Sequence, residues 1–257
     1  MAQLLLVRHG QASFGSHDYD RLSTLGITQS DLLGRWFEQC ATPIDRVVAG
    51  AMRRHRETAT HCLAACHTEG VPGIEALEVD ALFNEFDHAQ VMEVYEATLR
   101  APAMLASSSE SMSPASATLD VPSTSSTTVT PAAAMSSAEL QRIFALAMAR
   151  WMSGEHDSDY DESWRRFRAR CIASFESLSD GSNPARTVAV FTSGGVIAAI
   201  CQHLLGLTHT ATHELNWSLA NTGVTRVLFS KGRRGLSYLN NTAHVDWARE
   251  PDWLTYR

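Results

Sequence analysis

Arg8-His9-Gly10 places a guanidinium and an imidazole side by side, directly after the apolar run Leu4-Leu5-Leu6-Val7. A guanidinium offers a planar fork that suits phosphate oxygens. An imidazole beside it can act on the bound anion as a base or a nucleophile near neutral pH. Two other segments carry related chemistry. Gly50-Ala51-Met52-Arg53-Arg54 puts a pair of guanidiniums at or near the start of a helix, and Ser193-Gly194-Gly195 opens another helix. Helix N-termini present free amides and a dipole that favours anions. Each piece alone has an ordinary explanation: a structural histidine, solvated helix arginines, a tight glycine turn. Brought to one place, they make a phosphate pocket with an imidazole inside it.

The elements that must position these groups are legible in the apolar pattern. Leu4–Val7 reads as a strand buried on both faces, as in a parallel sheet, and Gly10 lets the chain turn tightly after it. A second strand is expected over Ile44–Ala49 and a third over Thr187–Thr192. In open α/β sheets, ligands bind at the carboxyl ends of the strands, where all three motifs fall. Ser23 or Thr24 can cap a helix running to about Cys40, with Leu32, Leu33, Trp36, Phe37 and Cys40 at helical spacing. Further helices are expected over Met52–Cys66, His88–Arg100 and Val196–Leu205. Residues 71–87 are mixed, with a short extended piece through Ile74, Leu77 and Val79. Late strands over Val224–Phe229 and Gly235–Leu239 read as a hairpin turning at Lys231 to Arg234.

Between these lies a change of composition. Residues 101–136 are dominated by Ser, Thr, Ala and Pro, and cannot bury enough apolar surface to offset the cost of ordering. The expectation is a disordered insertion; a phosphorylated or partner-binding loop is the alternative. Ser136 and Glu139 then fit a capping box. Leu140, Ile143, Phe144, Ala147, Met148 and Trp151 repeat on one face of the helix it starts. A second amphipathic helix carries Trp164, Phe167, Cys171, Ile172, Phe175 and Leu178. The sum predicts one domain over residues 1–257: a three-layer α/β/α sandwich with a mostly parallel sheet. Residues 86–180 form its helical cap insertion.

The 257 residues carry 21 basic against 28 acidic side chains, a net charge of −7. That excludes a general nucleic-acid binder, which needs a basic surplus, while leaving room for a local positive pocket. No apolar run approaches the roughly 18 residues of a membrane span. Arg8 interrupts the first apolar stretch too early for a signal peptide, so a cytoplasmic location is expected. The five cysteines, an odd number, fit no disulfide framework. Cys62 and Cys66, flanked by His61 and His67, suggest a metal site at first sight. No second ligand pair stands at zinc-finger spacing, so they read as small apolar residues on a buried helix face. No metal and no cofactor are expected.

With these motifs in order, the chain resembles the histidine phosphatase superfamily, the phosphoglycerate mutase-like fold, over most of its length outside 101–136. The resemblance rests on Leu-Val-Arg-His-Gly at 6–10, on Leu22-Ser23 with Gly26 and Gln29, and on Met52-Arg53-Arg54-His55-Arg56-Glu57-Thr58-Ala59. It continues through Leu82-Phe83-Asn84-Glu85-Phe86, Phe191-Thr192-Ser193-Gly194-Gly195-Val196-Ile197, Leu219-Ala220-Asn221-Thr222-Gly223 and Asn240-Asn241-Thr242-Ala243-His244. It implies that His9 is the nucleophile, that Arg54 rather than Arg53 binds phosphate, and that Glu85 is the acid and base. Arg8, Ser193 and Gly194 complete the substrate-binding set. The family's usual second histidine falls at position 193, which is serine here. Ser193 donates one hydrogen bond without charge, and His55 or His88 is a candidate to compensate. The expected activity is metal-independent phosphomonoester hydrolysis through a phosphohistidine, on a phosphorylated small molecule or a phosphoprotein. The stretch Gln11–Asp18 lacks the Trp- and Asn-rich signature of glycolytic mutases, which favours hydrolase over mutase. Ser193 keeps a second class open, a weakened phosphate- or phosphoprotein-binding pseudoenzyme.

Overall fold

The structure is a computed structural model that describes residues 2–13, 20–67, 70–108, 137–181 and 184–256. In chain order it contains β1 (Ala2–Arg8), α1 (Thr24–Gln39), β2 (Arg46–Ala49), α2 (Arg53–Ala64), β3 (Glu78–Val79), α3 (His88–Ser108) and α4 (Ser137–Ser153). It continues with α5 (Trp164–Leu178), β4 (Thr187–Thr192), α6 (Gly194–Leu205), α7 (His209–Ser218), β5 (Val224–Ser230), β6 (Arg233–Asn241) and α8 (Ala243–Ala248). These fall into two compact units, one of Met1–Phe86 with Arg165–Arg257 and one of Asp87–Trp164.

The first unit is built on a six-stranded sheet of order β3-β2-β4-β1-β5-β6. β3, β2, β4 and β1 run parallel; β5 is antiparallel to β1, and β6 to β5. The sheet is therefore mostly parallel and flanked by helices, as the strand–helix alternation predicts. β1 is central and apolar on both faces. Leu5 and Val7 join Val47, Ala189 and Phe191 in a core covered by Leu33 and Phe37 of α1 and Ala59, Cys62 and Leu63 of α2. Leu4 and Leu6, buried as well, point to the opposite face. Each fully buried aliphatic side chain contributes roughly 1.5–3 kcal/mol, so the strand that carries Arg8 and His9 is anchored from both sides. Because β2, β4 and β1 are parallel neighbours, their carboxyl ends open on one edge.

Local chemistry accounts for the boundaries. Ser23 caps α1 by accepting from the Gly26 amide at 3.0 Å. The approach of α1 to the end of β1 is close: a Cβ at Gly26 would lie 2.1 Å from the Gln11 carbonyl oxygen. Cys62 and Cys66 are core residues, as expected of small apolar side chains. The β5–β6 turn is tighter than expected: Arg233 and Arg234 belong to β6, and Gly232 takes φ 73° in the left-handed region.

In the second unit, α3 extends to Ser108, so residues 101–108 are helical rather than part of a disordered insertion. Their Ala, Met and Leu content favours helix; residues 109–136, and with them Ser136 of the predicted capping box, lie outside the described residues. On α4, Leu140 is exposed, Ile143 and Phe144 are half-buried, and Ala147, Met148 and Trp151 are buried, so burial of the apolar stripe deepens toward its C-terminal end. Trp151 meets Trp164 edge-on, ring centroids 5.3 Å apart. Among the described residues no helix is long and apolar enough to cross a membrane.

Candidate active site

β1 delivers His9 to the sheet edge and the surrounding backbone holds it there. Its amide donates to the Thr192 carbonyl at 2.8 Å, and its carbonyl accepts from the Asn221 side-chain amide at 3.0 Å. Thr222, in the left-handed region at φ 56°, donates its amide to the Arg8 carbonyl at 3.0 Å. The Gly10 amide donates to Thr58 Oγ1 at 3.0 Å, which ties the turn to α2. His9 Nδ1 lies 2.7 Å from the Gly10 carbonyl oxygen. A carbonyl only accepts, so the proton sits on Nδ1 and Nε2 keeps its lone pair. The imidazole is held well below its ordinary pKa, first by burial and then by the neighbouring Arg54, Arg8 and His55. At neutral pH it is a neutral, oriented imidazole.

The two arginines of the α2 start divide their work. Arg53 is exposed and bonds Glu57 at 2.6 Å. Arg54 is 3% exposed and turns inward, where its charge acts on His9. Its Nη1 donates to Asp20 Oδ1 at 2.8 Å, while Asp20 Oδ2 accepts the Arg53 amide at 2.8 Å. A carboxylate thus bridges a guanidinium and a helix N-terminus, as an incoming anion would. Arg8 donates through Nη1 to the Leu219 carbonyl, and its Nε lies 3.5 Å from where a Cβ on Gly194 would stand.

Glu85 reaches the same edge from the chain after β3. The Ala81–Phe83 turn is pinned by Arg170, which donates to the Leu82 and Asn84 carbonyls at 2.8 and 2.7 Å, and by Thr192 Oγ1, which donates to the Phe83 carbonyl at 2.6 Å. The Glu85 carboxylate accepts the Gly195 amide at 3.1 Å and the Phe86 amide at 3.2 Å. A Cβ at Gly195 would lie 2.2 Å from Glu85 Oε1, so only glycine lets the carboxylate approach the start of α6 this closely. Ser193 is buried, and its Oγ lies 2.6 Å from Nε2 of the buried His55. The His55 and His9 rings stand 5.7 Å apart between centroids.

The structure therefore brings together Arg8, His9, Arg54, Glu85, Ser193 and Gly194, drawn from the ends of three neighbouring strands and one loop. Of the two histidines named as possible compensators, His55 stands at Ser193; His88 opens α3 in the second unit. Asp20 and Asn216 of α7, whose Oδ1 would lie 2.4 Å from a Gly194 Cβ, join the site with no local sequence pattern to mark them, because they arrive from distant elements; Thr222 sits within the Leu219–Gly223 motif, but residue type alone does not show that it holds the end of β1. Among the described residues no group of three or more His, Cys, Asp or Glu is placed to hold a metal.

At the carboxyl edge of a mostly parallel α/β sheet, a neutral imidazole thus stands beside two guanidiniums, donors whose fork geometry suits phosphate oxygens. The model of the histidine phosphatase superfamily, branch 1, matches residues 4–115 and 131–242, and the chain belongs to that superfamily. Among solved structures, it is similar to a phosphoglycerate mutase from Bacillus anthracis str. Sterne, at 15% identity over 97% of each chain and TM-score 0.62. It is also similar to the phosphoserine phosphatase of Entamoeba histolytica, at 16% identity over 95% of this chain and 100% of that one, TM-score 0.57. A mycobacterial glucosyl-3-phosphoglycerate phosphatase shares 20% identity over 95% and 99%, TM-score 0.52. At such identities the likeness is one of fold. No curated protein matches the sequence.

Proposed function

We propose that the protein is a metal-independent phosphomonoester hydrolase that works through a phosphohistidine on His9. The observation that carries the reading is His9 itself: neutral, its proton fixed on Nδ1 by the Gly10 carbonyl, its Nε2 free to attack, with Arg54 and Arg8 beside it. His9 Nε2 attacks phosphorus as the ester P–O bond breaks, and Glu85 in its acid form gives a proton to the departing oxygen. Glu85, now a carboxylate, takes a proton from water; the water oxygen bonds to phosphorus, the P–N bond breaks and phosphate leaves. Arg8, Arg54 and Ser193 hold the equatorial oxygens, with the start of α6 at Gly194 adding its dipole. On this reading Ser193 stands where relatives use a second histidine.

Small phosphorylated metabolites are the favoured substrate class, since the phosphatases among the similar structures are named for a phosphoserine and a glucosyl-3-phosphoglycerate. The test is turnover of a generic aryl phosphate and of a panel of phosphometabolites and phosphopeptides, by wild type and His9→Ala. Hydrolysis lost in His9→Ala supports the reading. Phosphate binding without turnover identifies a pseudoenzyme instead, and phosphoryl transfer to a second metabolite in preference to water identifies a mutase.

A further inference from the structure

Ser193 does not behave as the first residue before a helix usually does. A serine in that place turns its hydroxyl to accept an amide of the first turn. At α6 no such bond forms; the Gly195 amide donates to Glu85, and the Ser193 hydroxyl oxygen lies 2.6 Å from His55 Nε2. His55 is its only hydrogen-bond partner among the described residues. His55 is wholly buried, and its Nδ1 has no hydrogen-bond partner. That nitrogen faces the α-carbon of Gly50, where a Cβ would lie 2.2 Å away. A buried N–H without an acceptor is rarer than an acceptor without a donor, so the proton belongs on Nε2 and is donated to Ser193 Oγ. Burial, with Arg54 next to it, keeps the ring uncharged. The serine oxygen then has its donor, and its own hydrogen is left to point at a ligand.

We infer that His55 is a positioning residue for the phosphoryl group: by donating to Ser193 Oγ it aims the serine O–H at an equatorial oxygen of an orthophosphate or phosphomonoester held at His9. The inference rests on the reading that His9 receives the phosphoryl group. Its consequence is that Ser193 and His55 act as one unit, with Gly50 leaving room for the ring. An imidazole 138 residues away along the chain thus does by relay what a direct histidine contact does elsewhere.

The test is a double-mutant cycle of His55→Ala, Ser193→Ala and the pair, read both as kcat on an aryl phosphate and as the Kd of inorganic phosphate. Loss of one oriented donor predicts a fall in kcat of about 100-fold for either single variant. The pair is expected to lose no more than about threefold beyond either single variant, because each removes the same interaction. His55→Gln, whose amide can donate to Ser193, is expected to recover most of the loss, and thermal melts establish that each variant is folded. The inference is overturned if His55→Ala stays within about twofold of wild type, if the two losses multiply, or if folded His55→Gln is no better than His55→Ala. Failure of the underlying reading looks different: turnover then survives in His9→Ala, while coupling in phosphate binding still decides the role of His55.

Discussion

Gly195→Ala separates folding from chemistry in one atom. The added Cβ would stand 2.2 Å from Glu85 Oε1, 3.0 Å from its Cδ and 2.9 Å from the Phe86 ring. An unstrained contact needs more than 3.4 Å, so the carboxylate must retreat by about 1 Å, and it can, because it is the end of a flexible side chain. Alanine within a helix is intrinsically more favourable than glycine by about 1 kcal/mol, which offsets much of the crowding. Melting temperature is therefore expected to change by only a few degrees. The chemistry is less forgiving: general acid–base catalysis contributes typically 10²–10⁴-fold, and about 1 Å of misplacement costs on the order of 100-fold. The assay is kcat on an alkyl phosphate and on an activated aryl phosphate. The alkyl ester, whose leaving oxygen needs the proton, should lose about 100-fold; the aryl ester should lose less. A folded Gly195→Ala that hydrolyses the alkyl ester within about threefold of wild type refutes Glu85 as the proton donor.

Three further outcomes follow from the geometry. On the proposed reading Asp20 occupies the Arg54 guanidinium that a phosphate engages; the aspartate is 41% exposed and the arginine 3%, so the carboxylate competes with the ligand. Asp20→Asn should tighten inhibition by inorganic phosphate by at least about twofold, the ~0.2–1 kcal/mol of a fully exposed pair being a lower bound where one partner is buried, and weaker phosphate inhibition contradicts this. Ser193→His should lower stability and activity, because the His55 ring already stands 2.6 Å from Oγ; combining it with His55→Ala should relieve the loss, and a gain in Ser193→His alone contradicts the packing. His244, buried and 2.8 Å from Thr222 Oγ1, has its pKa pushed down to about 4. Its contribution is complete above the unfolded value near 6.5, where both states are neutral. It is lost as pH falls toward 4, to a limit of about 3 kcal/mol, because the unfolded chain binds the proton first. Buried His9 and His55 act in the same direction. Urea unfolding of wild type and His244→Gln at pH 7 and 4.5 checks this, and an equal pH dependence in both removes His244 from the account.

What was legible beforehand follows from where the information lies. β1 and β4 are continuous apolar runs, and α1 carries its stripe and its Ser23 cap within a few residues, so local pattern suffices for them. α7 has no apolar stripe to mark it: its His209-Thr-Ala-Thr-His start is polar, only Thr212 is buried, and Thr208 starts the helix by accepting the Ala211 amide at 3.2 Å. The six-residue α8 is too short to carry a period. At the site, residues next to a strand end were nameable, and Arg54 could be preferred to Arg53 through the resemblance. The contacts that fix their roles were not. Asp20 on Arg54 joins residues far apart in sequence, and neither residue type nor spacing announces that pair; for Ser193 the sequence offers His55 and His88 alike, and only the fold puts His55 against it.

The central claim is that His9 carries the phosphoryl group. Wild type mixed with labelled phosphomonoester, denatured within milliseconds and mapped by mass spectrometry should hold label on the peptide that contains His9. The same peptide from His9→Ala should be blank, and Glu85→Gln given an activated aryl phosphate, whose leaving oxygen needs no proton, should accumulate the label, since water is no longer activated to remove it. Label on another residue, or turnover without any phosphoenzyme in Glu85→Gln, contradicts the account.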